Sequence, residues 1–174
     1  PSAMHEENAC VMAAWLMIED GKTLGPVKTS VWYHNDQPHP DSREPFQNDL
    51  LRADLVVCHN TKFDVTWLVE MDFVLPAKLH CTMIGEYIFS RGIQQSKSLK
   101  ATAERRNVTR KKSELIDEIF AQGVGFERMP LEIVLEYAAA DVISCAEIYL
   151  AQIADLKEEQ NSGLWPTFEL MNEM

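Results

Sequence analysis

Two carboxylates and one phenol define the chemistry open to this 174-residue sequence: Asp64, Asp141 and, four residues before the latter, Tyr137. Carboxylate oxygens are what hard divalent cations take as ligands. A tyrosine hydroxyl of ordinary pKa, about 10, stays neutral at physiological pH, so Tyr137 can orient a water by hydrogen bonding but is a poor general base. His59 and Asn60 stand just before Asp64, at the rim of any site it forms.

The elements that must position these groups are legible around them. Leu55 to Cys58 is a short apolar run with two valines, bounded by polar residues, which reads as a buried strand. From Phe63 onward the apolar residues Phe63, Trp67, Leu68 and Met71 recur at helical spacing. Asp64 therefore opens a helix just past the carboxyl end of a strand, where open α/β sheets keep their sites. A second, long helix begins after Pro130, and its Tyr137 and Asp141 share one face. The alanines between them leave room for another element to approach, and Ile133, Val134, Val142 and Ile143 argue that this helix is substantially buried.

These motifs resemble the 3'-5' exonucleases whose four acidic residues bind two metals, in the subgroup with a tyrosine in the last motif. Asn60-Thr61-Lys62-Phe63-Asp64 matches the family's second motif, and Tyr137-Ala138-Ala139-Ala140-Asp141 its third. The likeness covers nearly the whole chain and is greatest to the proofreading domain of family A DNA polymerases, bacteriophage ones in particular. It implies an α/β, RNase H-like exonuclease fold, with a mixed sheet flanked by helices. It further implies two divalent metal ions (Mg2+ or Mn2+), with the catalytic one on Asp141 and the second on Asp64. Such a pair, roughly 3.5 to 4 Å apart, activates a water and stabilises the departing oxygen. The expected partners are the 3' end of single-stranded DNA, with RNA as the alternative strand, and a polymerase domain in the same parent chain. His59, Asn60 and Phe63 are expected at the substrate, Phe63 by stacking.

One feature of the family is missing. Its first motif, Asp-x-Glu on the first strand, occurs nowhere in these residues, and Glu19-Asp20 reads as a hairpin turn. The simplest account is truncation at the amino end, which makes the fragment itself inactive. In the resembled fold the sheet order is three-two-one-four-five, so the absent strand is central, between the Cys10 to Tyr33 hairpin and Leu55 to Cys58. A stand-alone RNase D-like exoribonuclease and a non-catalytic scaffold gripping nucleic acid are the other readings.

Composition sets the bounds. With 46% hydrophobic residues, the chain can bury the core of one ordinary domain. That domain is expected over residues 1 to 160, with 161 to 174 starting a linker to the polymerase domain. The longest apolar run, Val11 to Ile18, is too short to span a bilayer, and no secretory pattern opens the chain. A soluble protein of the bacterial or phage-infected cytoplasm, with no membrane partner, is expected. Cys10, Cys58, Cys81 and Cys145 are scattered without ligand or disulfide spacing.

The net charge of −11 opposes a nucleic-acid role until its distribution is read. From Arg91 to Lys112 eight basic residues face the single acid Glu104, a net +7 that leaves −18 elsewhere. Arg105, Arg106, Lys111 and Lys112 in that run are expected to steer a strand, while the acidic remainder suits a site that gathers divalent metal. In chain order, Cys10 to Ile18 and Val27 to Tyr33 form a hairpin, His34 to Ser42 a loop, and Phe46 to Arg52 a short helix. A brief strand follows at Leu79 to Thr82. Helices over Met83 to Ser90, Leu99 to Arg106 and Ser113 to Ala121 precede the long one, which runs to about Gln160 before a new segment at Trp165.

Overall fold

A computed structural model describes residues 9–109, 114–158 and 163–173, and structural statements here refer to these. Strand β1 (Met12–Trp15) pairs antiparallel with β4 (Lys28–Val31), from Met12 opposite Val31 to Trp15 opposite Lys28. Between them β2 (Ile18–Glu19) and β3 (Thr23–Leu24) extend the hairpin to its turn, where Asp20 and Gly21 take positive φ. The stretch expected as a loop after Tyr33 instead begins with a second small hairpin, β5 (Tyr33–His34) against β6 (Gln37–Pro38). Its two turn residues, Asn35 and Asp36, both have positive φ, the backbone that a two-residue hairpin turn requires and that Asn and Asp tolerate.

Helix α1 (Glu44–Arg52) has Pro45 in its first turn, where the missing N–H is no loss. Strand β7 (Val56–Cys58) leads into helix α2 (Thr61–Glu70) and then pairs in parallel with β8 (Leu79–Cys81), Cys58 opposite Cys81. Helix α3 (Thr82–Phe89) follows β8 without a break. Helix α4 (Leu99–Arg106) starts on a Ser98 side chain that accepts from the Ala101 N–H and ends at Asn107 in the left-handed conformation. Beyond it lie α5 (Glu114–Ala121), a single 3-10 turn (Phe126–Arg128), and α6 (Leu131–Leu156), whose 26 residues make a rod of about 39 Å. Helix α7 (Trp165–Asn172) closes the described chain.

This is the expected mixed α/β architecture, antiparallel in β1–β4, parallel in β7–β8 and flanked by helices, consistent with an RNase H-like exonuclease domain. Its strands form four separate two-stranded ladders. In particular β1 bonds only to β4 and β7 only to β8, yet α6 packs across both β1 and β7. One buried cluster, Trp32, Phe46, Leu50 and Phe73, is shared by Ala13 and Trp15 of β1 and Val56 of β7. Asp49 of α1 reinforces the hairpin side, accepting from Trp15 Nε1 at 2.8 Å and Lys28 Nζ at 2.7 Å. At the other end Phe168 and Met171 of α7 pack with Leu156, Ile88 and Phe89. Among the described residues no helix is long and apolar enough to cross a membrane.

Candidate active site

The site is built where β7 ends. His59 and Asn60 turn the chain from strand to helix, and Asn60 does so at φ 67° and ψ 53°, a left-handed backbone that asparagine adopts more readily than most residues. Its side chain makes no cap hydrogen bond; instead the Phe63 N–H closes on the Asn60 carbonyl at 2.8 Å. The tight entry puts Asp64 in the first turn of α2, where the Cys58 thiol at the end of β7 donates to its carboxylate. Phe63 stays 47% exposed beside it.

Helix α6 supplies the facing groups. Asp141 and Cys145 lie one turn apart, and the charges of both Asp64 and Asp141 act on the Cys145 thiol. Asp64 of α2 and Asp141 of α6 are thus both near enough for their charge to be felt at this thiol. Tyr137 sits one turn before Asp141, its ring 5.7 Å from Phe126 and packed against the Ile116, Met129 and Val134 cluster with Met12 of β1. At the head of α3, Thr82 Oγ1 is 3.9 Å from Cys145 Sγ and 2.8 Å from His59 Nδ1. His59 Nε2 lies 2.8 Å from the Lys97 carbonyl, which can only accept. That nitrogen therefore carries the proton, while the one hydrogen of the Thr82 hydroxyl has two acceptors within reach, His59 Nδ1 and, at 3.3 Å, the Cys58 carbonyl. His59 in this way ties the β7–α2 turn to α3 and to the segment before α4.

The electrostatics follow from burial. Asp64 is pushed up to about 6, chiefly because burial disfavours its charge, with hydrogen bonds from its own backbone and the Cys58 thiol opposing the shift. Burial also raises Cys58 well above the usual thiol value and Cys145 to about 12, so neither is a thiolate at neutral pH. No basic side chain is among the groups that set the Asp64 titration. A buried carboxylate in that state gains from a nearby cation, and two aspartates offer the hard oxygens a divalent ion prefers. Among the described residues, however, no group of three His, Cys, Asp or Glu side chains is arranged to hold a metal ion. Asp64 and Asp141 by themselves do not make such a set, and a metal centre here needs further oxygens.

The basic residues are placed differently from one another. Arg106 is nearly buried: its Nε donates to Glu86 Oε1, its Nη1 donates to Asp155 Oδ2 at 2.7 Å, and its guanidinium lies over the Phe89 ring. Arg105 donates to the Ser96 carbonyl at 2.6 Å and to Thr102 Oγ1, with Glu86 at 3.6 Å. Both arginines are thereby engaged within the protein. Lys111 and Lys112 lie outside the described residues. Cys58, Thr82 and Cys145 were not singled out by the sequence; the only signal for Cys58 was its place at the end of the strand before Asp64.

A family model described as 3'-5' exonuclease, of the DNA polymerase A kind, matches residues 36–153, a span that holds Asp64, Tyr137 and Asp141. No curated protein matches the chain.

Proposed function

Given that the chain belongs to the 3'-5' exonuclease domain family of DNA polymerase A, we propose that it is the proofreading domain of a bacteriophage-like polymerase, of the tyrosine-containing type, acting on a single-stranded DNA 3' end. The observation that carries this reading is the placement of Asp64 in the first turn of α2, just past the carboxyl end of β7, with Tyr137 and Asp141 one turn apart on α6, inside the span that the family model matches. In the resembled enzymes the aspartate pair belongs to the two-metal centre, and here it would hold part of the coordination of two divalent ions, Mg2+ or Mn2+. When bound, the ions supply an activated water and stabilise the departing oxygen.

The protein's own part is positioning. Tyr137, neutral and a turn from Asp141, orients the attacking water through its hydroxyl. Exposed Phe63 offers a ring to the terminal base, and His59 holds the turn that carries Asn60 and Asp64 in place. The oxygens that the Asp64 and Asp141 pair lacks are assigned to an Asp-x-Glu strand outside these 174 residues, lying between β1 and β7. Its support is the sheet itself, in which those two strands share a core cluster and a helix but exchange no ladder hydrogen bonds. A polymerase domain in the same parent chain is the partner in this reading, and the whole enzyme works in the cytoplasm of a bacterial or infected cell.

The test is made in the full-length parent protein. Asp141→Ala lowers degradation of a single-stranded 3' end by about a hundredfold or more, while Tyr137→Phe slows hydrolysis and leaves strand affinity nearly unchanged. A folded Asp141→Ala enzyme that degrades single strands at the parental rate overturns the assignment.

A further inference from the structure

A surface beside the site is left unassigned by this reading. Tyr87, near the end of α3, is 61% exposed, a large apolar ring held in solvent. The Lys97 ammonium stands 6.0 Å from its centroid and is itself fixed by the Ile93 and Gln95 carbonyls, to which it donates at 3.1 and 3.3 Å. The cation therefore covers one side of the ring in a set position. One turn back on the same face of α3, Ile84 is 40% exposed and lines, with Lys62 of α2, a shallow groove of about 200 Å³. Lys62 is two residues from Asp64, and the Lys97 carbonyl is bonded to His59, two residues before Thr61 opens α2. The strip from Lys62 over Ile84 to Tyr87 and Lys97 thus begins and ends on residues tied to the site.

We propose that this strip is a track for the single strand behind its reacting 3' end, with Tyr87 as the stacking platform for a base and Lys62 and Lys97 as cations for the flanking phosphates. The proposal rests on the nuclease reading for its direction toward Asp64. The occupant follows from chemistry: an exposed aromatic ring with the fixed Lys97 cation on it, and Lys62 further along the strip, suits unpaired bases on an anionic backbone, and every base has a face to stack, so the track is tolerant of sequence. The cations stand out because the molecule as a whole carries −11. A folded protein partner of ordinary composition would not explain why Lys97 is held over the exposed ring of α3.

The experiment measures fluorescence anisotropy of labelled oligothymidylate and oligouridylate against the full-length parent protein in a chelator, so that no strand is hydrolysed. Tyr87→Ala weakens binding about tenfold, Tyr87→Trp restores it, and Lys97→Ala lowers the salt slope of the parent by about one. The oligouridylate arm separates a track that takes any single strand from one that requires deoxyribose. Circular dichroism checks each variant, and the exposure of Tyr87 makes loss of the fold in Tyr87→Ala unexpected. Parental affinity in Tyr87→Ala, weakening that Tyr87→Trp does not reverse, or a parent chain that binds no single strand overturns the track. If these binding results hold while the full-length parent shows no 3'-end hydrolysis, the nuclease reading fails and the track stands.

Discussion

Two buried aspartates show how single residues are tuned in opposite directions by what reaches them. The Asp49 carboxyl is held below its usual range first by its hydrogen bond from Lys28 and next by that from Trp15 Nε1. Asp64, with a thiol and backbone for partners, is raised from 3.8 to about 6 by burial. A carboxyl whose folded pKa is raised holds more protons folded than unfolded, so its contribution to stability is complete below about pH 4 and is lost as pH climbs through about 6. In a chelator, Asp64→Asn should therefore stabilise the protein at pH 7 and above by about 1–3 kcal/mol and have little effect at pH 4, read as urea midpoints across that range. For Asp49 the sign is reversed, with stability lost as pH falls through its lowered pKa. If Asp64→Asn shifts the midpoint equally at all pH values, burial is not what governs this carboxyl.

Among the elements, α6 is the one to which the others are fastened, and charge does much of the fastening. Gln152, fully buried on α6, donates to the Thr82 carbonyl and to Glu86 Oε1, both at 2.9 Å, and faces His80 Nε2 at 3.1 Å. Close approach makes this possible, for a Cβ on Gly85 of α3 would lie 2.6 Å from Gln152 Oε1. Arg106 then joins three helices by bonding Glu86 of α3 and Asp155 of α6 from its place on α4. Since Glu86 is 5% exposed, removing its nearest cation leaves a buried charge undercompensated. Arg106→Ala should cost about 3 kcal/mol of unfolding free energy, measured in urea, whereas Lys100→Ala on the exposed side of the same helix should cost almost nothing. A stable Arg106→Ala protein whose only defect is weaker strand binding would return this arginine to the phosphate-binding group.

At the scale of the whole molecule the open question is the divided sheet. Strands β1 and β7 each pair on one side only, and a backbone group left unbonded where water is excluded costs about 1–3 kcal/mol. A few such groups rival the 5–15 kcal/mol, roughly, that keeps a domain folded. On the strand assignment proposed above, the 174 residues alone should be marginally stable or prone to aggregate through these edges and inert with magnesium or manganese. Joining the native upstream segment should restore a cooperative unfolding transition and 3'-end hydrolysis together. Calorimetry and a labelled-oligonucleotide assay on the two proteins decide it; a cooperative, active 174-residue chain refutes the assignment.

What the sequence determined by itself is what neighbours along the chain dictate. Leu55 to Cys58, the polar turn, and the helical spacing from Phe63 placed Asp64 after a strand, and four-residue spacing placed Tyr137 and Asp141 on one face, because periodicity and turn chemistry act over a few residues. The family followed from those two motifs. Short-range signals fall short where turn chemistry is subtle, as at Asn35-Asp36, whose paired left-handed conformations make a hairpin in a stretch that polarity and prolines mark as loop, and at element ends, since Cys10 to Ile18 divides into β1 and β2 and the long helix stops at Leu156. The folded structure alone shows what Arg105 and Arg106 bond to within the protein: the acids that bind Arg106 are 20 and 49 residues away, so nothing in the basic run distinguishes an ion-paired arginine from a solvated one. The same holds for His59 between Thr82 and the Lys97 carbonyl, 23 and 38 residues on. Pairings of that range are set by how helices pack on strands, and a one-dimensional pattern carries no record of them.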